Sequence, residues 1–178
     1  MARAASDYAT RFVTDIATQA TANPAVRTAL RTGLGREPDQ CHRMHAFVAP
    51  WLEEDSHPDK ERVHYTIAAL IAHAPETAVP TDEDASGDLG ESLARAAQHH
   101  VLASATTENY LHLVVRQNPG TLCRYLTTVV LSLRDTGIPV DFARLFDDAG
   151  RWPWQSRRIA KTWLQSYYRS VASKTSSS

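Results

Sequence analysis

Apolar residues recur at three- and four-residue intervals along almost the whole chain, and no stretch shows the strict alternation of a half-buried strand. That periodicity predicts an all-α protein, and the residues interrupting it predict where each helix begins and ends. Tyr8, Phe12, Ile16 and Ala20 mark one helix face after Ser6, a suitable N-cap. Asn23-Pro24 stops that helix and opens a second, because proline is tolerated at the first helical position. Gly33 and Gly35 end the second helix near Leu34. A third is expected after Pro38, through Met44, Phe47 and Val48 to Pro50, and a fourth after Ser56 and Pro58, carrying Val63, Ile67, Leu70 and Ile71.

Asp88 and Glu91 read as a capping box for a fifth helix with Leu89, Leu93 and Ala96. Thr107 is the expected cap of the next, and Asn118-Pro119-Gly120 turns into a long apolar helix that stops at Gly137. Pro139 and Asp141 start a short helix through Phe146, and Ser156 is the expected cap of the last one. Eight or nine helices and no sheet follow. They are expected as two small bundles, residues 1–75 and 89–172, joined by an acidic linker at 76–88 and trailed by a disordered tail at 173–178.

Several classes of function are excluded. The longest apolar stretches are about half the length that spans a bilayer, and the N-terminus has no apolar signal core, so a cytoplasmic location is expected. Cys41 and Cys123 make no disulfide framework. Cys41, His42 and His45 lie within about one helical turn, but a zinc site needs further converging ligands. His99 and His100 are adjacent and point about 100° apart on a helix. With no HExxH, P-loop, GxGxxG or GxSxG, the chain is expected to be no enzyme and to need no cofactor or metal.

The charge distribution is more informative. A formal net charge of −1 divides into +2 over residues 1–50, −8 over 51–100 and +5 over 101–178, and 16 of the 19 Lys/Arg are arginine. Arg27 and Arg31 share a helix face with Arg36 just beyond. Arg116 and Arg124 flank the Asn-Pro-Gly turn. Arg157, Arg158 and Lys161 crowd the start of the last helix, with Arg151 upstream. Guanidinium groups bind phosphate in forked pairs, and phosphate contacts hold a strand without reading its bases. The nearby aromatics (Trp152, Trp154, Trp163, Tyr167, Tyr168) have the spacing of core residues. The same asymmetry also suits a second reading, a helical protein–protein interaction module or assembly spacer whose positive end meets an acidic middle.

Four segments in fixed order complete the pattern: ALRTGLGREP from Ala29, HYTIAALIAHAPE from His64, LGESLARAA from Leu89, and the run from Leu111 to Trp152 that contains IPVDFARLFDDAGRW. Over about residues 25–170 this order resembles the CasB family, the small subunit of the type I-E CRISPR Cascade complex. The resemblance implies a non-catalytic helical protein of two bundles that packs head-to-tail with a second copy. It also implies the backbone and large subunits, guide RNA, and target or non-target DNA strands as partners, and no membrane. Arg31, Arg124, Arg144, Arg157 and Arg158 match positions where family members carry basic residues; Arg27, Arg36, Arg116 and Lys161 join them by proximity. The pattern departs at Glu91, where relatives place a basic residue, and Arg95 one turn later is the expected substitute.

Overall fold

A computed structural model describes residues 5–79 and 87–175, and among them there are eight α-helices and no strand. The helices are α1 (Asp7–Ala22), α2 (Pro24–Arg31), α3 (His45–Val48), α4 (Pro58–His73), α5 (Leu89–Gln98), α6 (Ser104–Val115), α7 (Pro119–Asp135) and α8 (Phe142–Thr175). Most of the linker expected at 76–88 falls on residues outside those described. At the other end α8 stays helical as far as Thr175, inside the stretch expected to be a disordered tail.

Side-chain caps open most of these helices where the sequence places them. Ser6 Oγ accepts from the Ala9 N–H, Asn23 Oδ1 from Ala25 and Asn118 Oδ1 from Thr121. Asp88 and Glu91 form the expected reciprocal box, with bonds of 3.1 and 3.0 Å. Other expectations are corrected. The third helix is broken into a 3-10 turn at Pro38–Gln40 and the four-residue α3, because Cys41 leaves helical geometry at φ −102°, ψ 48°. α4 begins at Pro58 as expected and is capped by His57, whose Nδ1 accepts from the Asp59 N–H. Thr107 lies inside α6, fully buried, with its hydroxyl shared between Ser104 O and the Tyr167 hydroxyl.

The last two expected helices meet across a kink, as the two segments of α8. Pro153 lacks an N–H and crowds the preceding turn, and the backbone departs from helix at Gln155 (φ −127°, ψ 16°), yet helix resumes beyond the kink. The bend lets the first half of α8 pack on α1 and α4 while the second half runs along α5. Gly90 permits that second contact: a Cβ there would stand 2.0 Å from the Trp163 carbonyl oxygen.

α4 is the axis of the molecule, with every residue from Val63 to Ala72 buried. Carbonyls at its C-terminus and in the turn just beyond are held by two arginines. Arg27 donates to Ala72 O and His73 O, and Arg134 of α7 donates to Ala74 O and Thr77 O. Cations are favoured at a helix C-terminus, where partial negative charge accumulates. The buried apolar residues of the two halves form one contiguous cluster, in which Phe12 of α1 and Phe146 of α8 stack 4.9 Å apart beside His64 of α4. Among the described residues no helix is long and apolar enough to cross a membrane.

Candidate nucleic-acid interface

Beyond its kink α8 buries Ile159, Trp163 and Tyr167, at spacings of four. Burying that face turns the intervening cations outward. Arg157 and Lys161 fall on one flank; Arg158 and Arg169 fall on the other with Thr162 and Gln165. The aromatic residues therefore position the basic ones. Trp152 and Trp163 stack at 5.2 Å, and the Trp163 indole donates to buried Asp148 at 2.9 Å. Burial pushes the Asp148 carboxyl up from its ordinary value.

On the first flank, Arg157 and Lys161 meet Arg116 across a groove of about 490 Å³. Its floor is apolar, made by Val115, Ala160 and Leu164, and no carboxylate lines it. Arg116 closes α6 as its C-cap residue, and the adjoining turn is tied down. The Trp152 indole donates to Gln117 O at 2.8 Å, the Gln117 amide donates to Leu113 O at 2.7 Å, and Thr121 donates to the Gln117 side chain at 2.9 Å. Three exposed cations on two anchored elements, over an apolar floor, can neutralise successive phosphates while sugars or bases rest between them.

The second flank is different. Arg151, Arg158 and Arg169 edge a cleft of about 400 Å³, but Asp88, Glu91 and Asp148 line it too. Arg151 is already paired with Asp147 at 3.1 Å. Arg169 has no place in the sequence-based set, although its helical spacing from Arg158 through Thr162 and Gln165 is the signal that finds it.

The expected cations thus divide. Arg116, Arg157 and Lys161 converge in one groove, and Arg158 stands on the neighbouring cleft. Arg31, Arg36 and Arg124 are exposed but line neither. Three expectations of a surface cation are corrected. Arg27 spends its guanidinium on the α4 carbonyls and on Glu76 at 2.7 Å. Arg144 is buried at the floor of the second cleft, 3.5 Å from Asp148. Arg95 is half-buried and engaged within the fold, while Glu91 serves the capping box. Two of the histidine and cysteine candidates also have structural tasks. Cys41 donates to Glu37 O, and His45 hydrogen-bonds Tyr65. Among the described residues no three His, Cys, Asp or Glu are grouped to hold a metal ion.

Comparison with known proteins decides the family. Residues 26–168 match the family model for CRISPR-associated protein Cse2. A Cse2 protein of Thermus thermophilus is 31% identical over 151 residues, covering 84% of this chain and 82% of its own. The chain belongs to the Cse2 family. Among solved structures, a chain of a CRISPR RNA-guided surveillance complex aligns at 34% identity with a TM-score of 0.81, over 96% of both chains. A second, described as the pre-nicking complex, aligns at 33% identity and a TM-score of 0.83, over 96% of this chain and 97% of that one. The crystal structure of a Cse2-family protein, also from Thermus thermophilus, aligns at 25% identity and a TM-score of 0.73, covering 95% and 99%. Cse2 membership therefore rests on the whole helical arrangement and on most of the chain's length.

Proposed function

We propose that this Cse2-family chain is the non-catalytic small subunit of a type I-E CRISPR RNA-guided surveillance complex, Cascade. In it the chain holds nucleic-acid backbone without reading sequence, steadying the guide RNA–target DNA R-loop and the displaced strand. The observation that carries the reading is the groove of Arg116, Arg157 and Lys161, three cations with no lining carboxylate. Relatives of similar length and fold occur in CRISPR RNA-guided surveillance complexes, which supports the same setting here. In such a complex base pairing reads the sequence, so backbone affinity suffices for a supporting subunit. The partners of this reading are the backbone and large subunits, a second copy head-to-tail, guide RNA and the DNA strands, in the cytoplasm.

The test is binding of single-stranded DNA and RNA of mixed sequence by the purified chain across a salt series. Binding should be independent of sequence, and Arg116→Ala, Arg157→Ala and Lys161→Ala together should reduce the salt slope by about 2, at roughly 0.7 per phosphate contact. Unchanged affinity and slope in that triple variant would sink the groove as the binding site. Self-association that competes with DNA for the same three residues would favour the interaction-module reading instead.

A further inference from the structure

Trp152 is 1% exposed and lines no part of the Arg116–Arg157–Lys161 groove, yet it touches the elements on both sides of it. Those sides come from different parts of the chain. Arg116 stands at the end of α6, in the turn before α7, whereas Arg157 and Lys161 stand on α8 beyond its kink. Neither element alone sets the spacing across the groove.

One side of the Trp152 ring system meets Trp163, at 5.2 Å between ring centres and 31° between planes. Trp163 lies on the same segment of α8 as Arg157 and Lys161, and its own indole donates to Asp148 at 2.9 Å, before the kink. The two indoles therefore hold the segments on either side of Pro153 and Gln155 together.

The Trp152 indole N–H meets the opposite element, donating to Gln117 O at 2.8 Å, one residue beyond Arg116. Both partners need this bond. A buried indole N–H requires an acceptor, and a carbonyl just past a helix end has no helical donor. The other side-chain bonds between α6 and α8, Thr107 with Tyr167 and His112 with Tyr168, lie about a turn or more earlier in α6. Arg116 itself is exposed, and an exposed helix end opens easily unless a tertiary contact holds it. A cation held in place before a strand arrives gives up less freedom when it binds.

We infer, on the reading of this groove as a strand-binding site, that Trp152 is its positioning residue. By holding Gln117 O, the indole N–H keeps Arg116 opposite Arg157 and Lys161, so that all three meet one strand.

Binding of mixed-sequence single-stranded DNA across a salt series tests the groove and Trp152 separately. Arg116→Ala is the reference, expected to lower the salt slope by about 0.7, one phosphate contact. If it leaves the slope unchanged, the groove reading fails and the role of Trp152 with it. Trp152→3-benzothienylalanine puts sulfur in place of the indole N–H and keeps the bicyclic ring, so the core stays filled. That variant should lower the slope as much as Arg116→Ala does, and the two together should lower it no further. Trp152→Phe, which also lacks the donor, should lower the slope equally and reduce the unfolding midpoint as well. Ile16→Ala, a core truncation in α1 away from the groove, should reduce the midpoint and leave the slope at the wild-type value. A wild-type slope in the benzothienylalanine chain, a loss that adds to that of Arg116→Ala, or an equal loss in Ile16→Ala would each overturn the inference.

Discussion

Arg27 and Arg157 carry the same guanidinium, and their surroundings give them opposite tasks. Arg27 donates to two carbonyls at the end of α4 and to Glu76, so Arg27→Ala should cost about 1–3 kcal/mol in urea unfolding by leaving those acceptors unmet. Arg157→Ala should leave the unfolding curve within about 0.5 kcal/mol and weaken strand binding instead. Equal effects on stability would contradict this division. His64 supplies a pH-dependent test. Burial pulls its imidazole down from 6.5 to about 4, so the folded chain refuses a proton that the unfolded chain accepts. Stability should be full above about pH 6.5 and fall by roughly 3 kcal/mol as the pH drops toward 4. His64→Gln, which cannot titrate, should flatten that part of the stability–pH profile; an unaltered slope would show that other groups cause it. Residue type is legible in a sequence; whether an arginine faces a helix end, a carboxylate or solvent is not.

Among the elements, α8 is the most irregular. Pro139, Asp141 and Ser156 read locally as the borders of two helices, and the borders at Pro139 and Asp141 agree with the structure: Asp141 Oδ1 accepts from the Arg144 N–H at 2.9 Å. The second border agrees too: Pro153 and the non-helical Gln155 divide two segments beside Ser156, and those segments bury Phe146, Trp152 and Trp163 in one cluster. Thr107 does depart from expectation, lying inside α6. Its hydroxyl satisfies a cap by local rules but is better used against buried Tyr167, which lies 60 residues away in sequence. Gly90 is the most sensitive point of the α5–α8 contact. Gly90→Ala drives a methyl toward the Trp163 carbonyl, and despite better helix propensity it should destabilise by about 1–3 kcal/mol. A neutral or stabilising result in thermal or urea unfolding would show that α5 and α8 can separate without loss. The groove would feel this change too, because α8 carries Arg157 and Lys161.

At the scale of the whole molecule, the two expected halves share a core. Ser6, at the start of α1, bonds Asp147 of α8 through both its N–H and its hydroxyl, at 2.6 and 2.7 Å, and Arg151 holds the same carboxylate. Phe146 packs against Phe12, Tyr8 and His64. Unfolding should therefore be one transition, coincident by circular dichroism and tryptophan fluorescence; Phe146→Ala should lower its midpoint, with a loss of about 3–5 kcal/mol. Two resolved transitions would show that the halves melt independently. The net charge of −1 likewise conceals an organised surface, with cations and no carboxylate in the groove on one flank of α8 and mixed charges in the cleft on the other. By itself the sequence determined the all-α class, most helix starts and the Arg-rich regions, because helical periodicity, capping and residue charge act over a few neighbouring residues. Only the tertiary structure decided which arginines remain outside, how the two segments of α8 pack on either side of their kink, and that Arg116 meets Arg157 and Lys161, because each depends on contacts between residues tens of positions apart.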